Sequence, residues 1–165
     1  MRRSEKAILN FFEADHSRLD DLFNRFLYHK RDDPALARKY YDEFSGGLRR
    51  HIVWEDEILF PIFEKKSSIP SVGPTATIRS EHREILKILQ SIGDRLHCND
   101  FKDNSEEKLL AAILGAHNRR EENIMYSAID RSLTVDEKRQ VFDAIEKFLP
   151  HWERKSEEEP AKSIL

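Results

Sequence analysis

Apolar residues recur along this chain at intervals of three and four, the spacing of one helix face, and they fall into five segments. The first runs from about Ser4 to His29, with its stripe at Ile8, Phe12, Leu19, Phe23 and Phe26. Asp33 followed by Pro34 is a cap and an N1 proline, and it opens a second helix reaching about Lys65. Two prolines and a glycine between Ser67 and Pro74 mark a loop. A third helix then carries Ile78, Ile85, Leu89, Ile92 and Leu96. Asn104 and Glu107 resemble a capping box for a fourth, ending near Leu133. Thr134 and Glu137 repeat that signal for a shorter fifth, with Val141, Ile145 and Phe148 on its apolar face.

Four helices of roughly 25 residues on short loops must run antiparallel to their neighbours. The predicted fold is all-α, an up-down-up-down four-helix bundle about 35–40 Å long with the short C-terminal helix outside it. Gly46 and Gly47 interrupt the second helix, each costing roughly 1 kcal/mol against alanine, and they predict a kink or a close helix crossing. Residues 1–150 form a single domain on this pattern, and 151–165 read as a disordered tail.

Composition narrows the function. Five glycines and ten phenylalanines fit bulky helical packing, with 39% hydrophobic and 36% charged residues. Acids and bases are interleaved to a formal charge of −3, which makes no electrostatic case for nucleic acid or a membrane surface. MRR before AILNFF imitates a secretory leader, but Glu13, Asp15 and His16 interrupt the apolar run at once. No segment is long and apolar enough to span a bilayer. A single cysteine, Cys98, excludes an internal disulfide and fits a reducing, cytoplasmic setting.

The apolar faces carry an anomaly. In the second helix the inward stripe is Phe44, Leu48, His51, Glu55, Ile58 and Ile62, and in the fourth it is Leu110, Leu114, His117, Glu121, Ile124 and Ala128. Each places His and Glu four apart, on one face, within reach of a shared ion. His16 lies between Phe12 and Leu19, and His82 between Ile78 and Ile85, so every bundle helix points one histidine inward. The spacing repeats: adding 66 to His16, His51 and Glu55 gives His82, His117 and Glu121. The chain is a doubled helical hairpin, each half supplying two His and one Glu.

Six such groups buried without partners would each cost several kcal/mol. A dinuclear metal site satisfies all of them at once, and imidazole with carboxylate suits iron, zinc or manganese. One inward histidine is ordinarily a satisfied core residue; four in repeated register with two glutamates are not. Glu122 is an alternative to Glu121 if the fourth helix is rotated slightly. Asp56, Glu57 and Glu122 otherwise read as a solvated acidic run, and His29, His97 and His151 as helix-end or surface residues. Phe60 and Tyr126 occupy equivalent places and either wall the site or fill the core. A ferritin-like design would need two Glu-x-x-His motifs, and only Glu13–His16 has that spacing. No phosphate loop, Cys-x-x-Cys pair or nucleophile elbow is present, so no catalytic or organic-cofactor residue is assigned.

The pattern Asp15-His16, HIVWEDEILFP from His51, Glu81-His82 and HNRREENIMY from His117 resembles the hemerythrin-like family and its HHE cation-binding domains, over about residues 5 to 131. The resemblance implies a non-haem centre of two iron ions bridged by two carboxylates and an oxygen species. It implies His16, His51, His82 and His117 as terminal ligands, Glu55 and Glu121 as bridges, and a small diatomic ligand or peroxide as partner. Ile78 stands where oxygen-carrying members have a second third-helix histidine. Glu121 and Glu122 stand four and five residues after His117, where those members have an aspartate at five. These departures favour sensing, iron handling or redox chemistry over reversible oxygen carriage. A di-iron oxidase or peroxidase with true turnover, and a metal-stabilised interaction module, are the alternatives.

Overall fold

A computed structural model describes residues 5–67 and 73–148. The tail at 151–165, His151, the predicted start at Ser4 and most of the loop between Ser67 and Pro74 lie outside the described residues. The structure is an all-α bundle, with no strand among the described residues. Helix α1 (Ala7–His29) lies along α2 (Pro34–Val53), which passes through a π-helical turn (Trp54–Leu59) into α3 (Phe60–Ser67). Helix α4 (Pro74–His97) pairs with α5 (Ser105–Arg120), which passes through a second π turn (Glu121–Met125) into α6 (Tyr126–Ser132). Helix α7 (Val135–Lys147) packs outside the bundle, against the first π turn.

Local signals cap two of the helices, α2 and α7. Asp33 accepts the Leu36 N–H ahead of Pro34. Thr134 and Glu137 form the reciprocal box predicted for α7. The box predicted at Asn104 and Glu107 does not form. Both side chains instead receive the ammonium of Lys30, which is 2% exposed, at 2.8 and 2.6 Å, and Arg95 joins Glu107 at 2.6 Å. A cap contributes about 1 kcal/mol, whereas a buried charge without partners costs several. Asp103 takes over at this end by accepting the Ser105 N–H. Helix α1 is capped from across the bundle. Asp130 accepts the Ile8 and Leu9 N–H groups at 3.0 and 2.9 Å and is paired in turn with Lys138 of α7.

The two π turns correct the predicted apolar stripes. Each adds a residue to its turn, seen in the Phe60 N–H bonding to the Glu55 carbonyl and the Tyr126 N–H to the Glu121 carbonyl. Beyond each turn the buried face advances by one. Ile124, expected inside, is 64% exposed, while Met125, Tyr126 and Ile129 are buried. In the first half Ile58 stays buried, Leu59, Phe60 and Phe63 join it, and Ile62 is only half-buried. Pro61 cannot supply the next N–H of this ladder, and Arg79 donates to the Asp56 carbonyl at 3.2 Å.

Two apolar clusters result. One gathers Leu19, Phe23, Phe26, Phe44, Leu48, Ile85, Leu89 and Leu114, and the other Ile8, Phe12, Leu59, Phe60, Ile78, Met125 and Tyr126. The histidines lie in the layer between them.

Of the two glycines, only Gly47 marks a close crossing. A Cβ there would stand 2.8 Å from Leu19 Cδ2 and 3.0 Å from an Arg18 guanidinium nitrogen, while one at Gly46 meets nothing within 4 Å. Gly46→Ala should therefore raise stability by up to about 1 kcal/mol through helix propensity. Gly47→Ala should lower it by about 1–2 kcal/mol, because overpacking against the buried Leu19 outweighs the same gain. Urea midpoints of the two variants check the opposite signs.

Candidate metal centre

The helical repeat brings all six predicted residues to one place. His16 comes from α1, His51 from α2, His82 from α4 and His117 from α5, while Glu55 and Glu121 sit in the two π turns. None is more than 4% exposed. The π turns make this arrangement available, since they let Glu55 and Phe60, or Glu121 and Tyr126, five residues apart, both face the interior. An α-helix would turn the second of each pair well off that face.

The imidazole Nε2 atoms converge on the two carboxylates. Glu121 Oε2 lies 3.2 Å from His16 Nε2, while its Oε1 lies 2.9 Å from His117 Nε2 and 3.6 Å from His82 Nε2. Glu55 Oε2 lies 3.2 Å from His82 Nε2 and 3.6 Å from His51 Nε2. Each glutamate thus faces a histidine of both halves. The donors group as Glu55, His82, His117 and Glu121 on one side, and His16, His51 and Glu121 on the other. Glu55 Oε2, His82 Nε2 and Glu121 Oε1 are buried and make no well-aligned hydrogen bond, although imidazole and carboxylate stand close together. Buried polar atoms are ordinarily satisfied, and orphaned nitrogen and oxygen donors facing one another fit a cation.

The opposite nitrogen of every imidazole is also held. His51 Nδ1 meets Asp15 at 2.8 Å, His82 Nδ1 meets Asp56 at 2.8 Å, His117 Nδ1 meets Glu81 at 2.8 Å and His16 Nδ1 meets Glu122 at 2.7 Å. Each carboxylate belongs to the helical segment preceding its histidine around the bundle, so the four contacts close a ring. A carboxylate at Nδ1 fixes the Nδ1–H tautomer and turns the Nε2 lone pair to the centre, the usual support of a metal-binding histidine. Asp56 and Glu122 are therefore not merely solvated, and Glu122 does not take Glu121's place. The repeat contained the signal: a shift of 66 carries Asp15 to Glu81 and Asp56 to Glu122. His29 stacks on Tyr40 and His97 is exposed at the end of α4, both away from the site.

Tyr126 enters the cluster itself. Its fully buried hydroxyl donates to Glu55 Oε1 at 2.6 Å and approaches Glu121 Oε2 at 3.0 Å. Burial, with both carboxylates nearby, pushes its ionisation well above the ordinary value, so without a cation the group is a neutral donor. Its repeat partner Phe60 stacks parallel to the His82 ring.

Helices of this arrangement, with a His/Glu cluster capable of holding a metal buried at mid-bundle, define a helical cation-binding domain. The family model described as the hemerythrin HHE cation binding domain matches residues 7–129, and the chain belongs to that family. It is also similar to a DNA nickase of Nostoc sp., 25% identical over 139 residues, which covers 84% of this chain and 38% of that protein. The chain therefore spans less than half the length of this relative. No solved structure matches it. Among the described residues no helix is long and apolar enough to cross a membrane.

Charge within the cluster sets a pH dependence. Burial opposes a charge on His16, but Glu121, Glu122 and Glu55 outweigh it and carry its pKa from 6.5 up to about 9. Burial likewise opposes His82, yet Asp56, Glu121 and Glu55 raise it to about 12. Glu121 is held well below 4.5, its burial outweighed by His117, His16 and His82. The raised histidines stabilise the metal-free fold fully below about pH 6.5, and His16's share is lost as pH rises through about 9. The glutamate's share is present above about 4.5 and lost as pH falls through its lowered value. The urea midpoint of metal-free protein should therefore fall between about pH 6 and pH 9. Metal binding displaces the Nε2 protons, so the extra stability conferred by added metal should grow over the same interval.

Proposed function

We propose that the chain is a non-haem di-iron protein whose centre meets a small oxidant, either dioxygen, peroxide or nitric oxide. The observation that carries this reading is the pair of central glutamates, each facing histidines of both halves, inside a closed ring of carboxylate-supported imidazoles. Glu55 and Glu121 are disposed to bridge two ions, and His16 with His51, and His82 with His117, to hold one each. Two ferrous ions there would supply two electrons to an oxidant.

The chain's own residues define what reaches the site. The six groups are at most 4% exposed and lie between two apolar clusters, which favours a diatomic molecule or peroxide over anything larger. Asp15, Asp56, Glu81 and Glu122 keep the imidazoles oriented, and without a cation the Tyr126 hydroxyl donates to the central glutamates. The name of the Nostoc relative raises DNA cleavage, but a phosphodiester backbone is too bulky to approach donors buried this far. We therefore favour a small-molecule partner over nucleic acid. Ile78 is buried in an apolar cluster and carries no donor atom. A coordination position is thereby left to exogenous ligands, which favours sensing, iron handling or redox turnover over reversible oxygen carriage.

Anaerobic loading with ferrous ion should give about two irons per chain, and admitting air should produce a visible absorption band. His82→Ala should lose at least one iron and the band with it. A loaded protein whose spectrum is unchanged by air, peroxide and nitric oxide would contradict the proposal.

A further inference from the structure

The two halves of the site are not chemically equal. The half built on His82 and His117 gathers four donors with Glu55 and Glu121, whereas the half built on His16 and His51 has three with Glu121. The repeat places an aromatic residue five positions beyond each glutamate, Phe60 in one half and Tyr126 in the other. Only the second has a heteroatom, and that atom lies on the side of the smaller group. Tyr126 Oη stands 3.4 Å from His16 Nε2, 3.5 Å from His51 Nε2, 3.0 Å from Glu121 Oε2 and 2.6 Å from Glu55 Oε1.

The spacings to His16, His51 and Glu121 match what a shared ion would impose, while the contact to Glu55 is a hydrogen bond. Donors held about 2.1 Å from one first-row metal stand about 3.0 Å apart at octahedral angles and about 3.4 Å apart at tetrahedral ones. A phenol serving only as a hydrogen-bond donor to the carboxylates has no need to keep ligand spacing from two imidazole nitrogens as well. The hydroxyl lies on a ring that stacks on Phe12, with centroids 5.1 Å apart and planes inclined by 25°, and the residue is wholly buried.

From this geometry we infer that Tyr126 Oη is a metal ligand, a further protein donor of the His16–His51 half-site. The inference rests on the di-iron reading and makes its two ions inequivalent: one acquires a phenolic oxygen, the other only imidazole and carboxylate. Ligation exchanges the O–H bond for an O–metal bond. The proton leaves to solvent with those displaced from the imidazoles. An adjacent cation reverses the negative surroundings that keep the phenol neutral without it.

Resonance Raman spectroscopy of the ferric wild-type protein, with iron content measured on the same sample, tests this directly. Tyrosinate ring vibrations enhanced within a visible charge-transfer band are expected, and they should vanish in Tyr126→Phe. That variant removes one oxygen and keeps the ring. It should still bind the first ion, with the second held roughly tenfold more weakly or worse. Two irons per chain without tyrosinate vibrations in the wild type would overturn the ligand assignment and leave the di-iron reading standing. The assignment would fall equally if Tyr126→Phe bound both ions as tightly as wild type. Absence of bound iron from the wild type would overturn both.

Discussion

Four hydrogen bonds between carboxylates and imidazole Nδ1 atoms hold this bundle in its register. Asp15 of α1 holds His51 of α2, and Asp56 beyond α2 holds His82 of α4. Glu81 of α4 holds His117 of α5, and Glu122 beyond α5 holds His16 of α1. Sliding any helix by one residue would break two members of the ring and leave a buried charge unpaired at several kcal/mol. Apolar packing alone specifies register less sharply, since Leu and Ile at neighbouring positions can exchange places. The polar layer thus both orients the Nε2 donors and aligns the helices that carry them.

Much of this was legible in the sequence because helix periodicity and the 66-residue repeat are independent signals that agree. The repeat located His16, His51, Glu55, His82, His117 and Glu121 together without any knowledge of packing. The sequence was misleading where a uniform 3.6-residue period was assumed across the glutamates. Ile124 looks inward on that period and lies outside, because the π turn at Glu121 advances the buried face. Burial at Glu121 and Tyr126, five apart, is the trace such a turn leaves. Asn104 failed for another reason. A capping signal is local, and Lys30, distant in sequence, supplies a stronger partner for both side chains, with Arg95 adding to it at Glu107.

The π turns also connect fold to chemistry. Each widens its helix where a glutamate must reach across the bundle axis, and each brings an aromatic ring into the layer that a regular helix would have turned away. In one half that ring is the phenyl of Phe60, stacked on His82, and in the other the phenol of Tyr126, hydrogen-bonded to both glutamates. A site that is nearly two-fold symmetric in its charged groups is thereby asymmetric in its aromatic walls. The layer's six central groups are buried between the apolar clusters, so their polar contacts act at low effective dielectric, where orphaned donors are costly and a bound cation correspondingly favourable.

A crystal structure of the iron-loaded protein with anomalous data at the iron edge tests the central claim most directly. Two peaks should lie between Glu55 and Glu121, one beside His16 and His51 and one beside His82 and His117, with all four Nδ1–carboxylate contacts intact. A single peak, or none with the glutamates still bonded to imidazole and phenol, would contradict it.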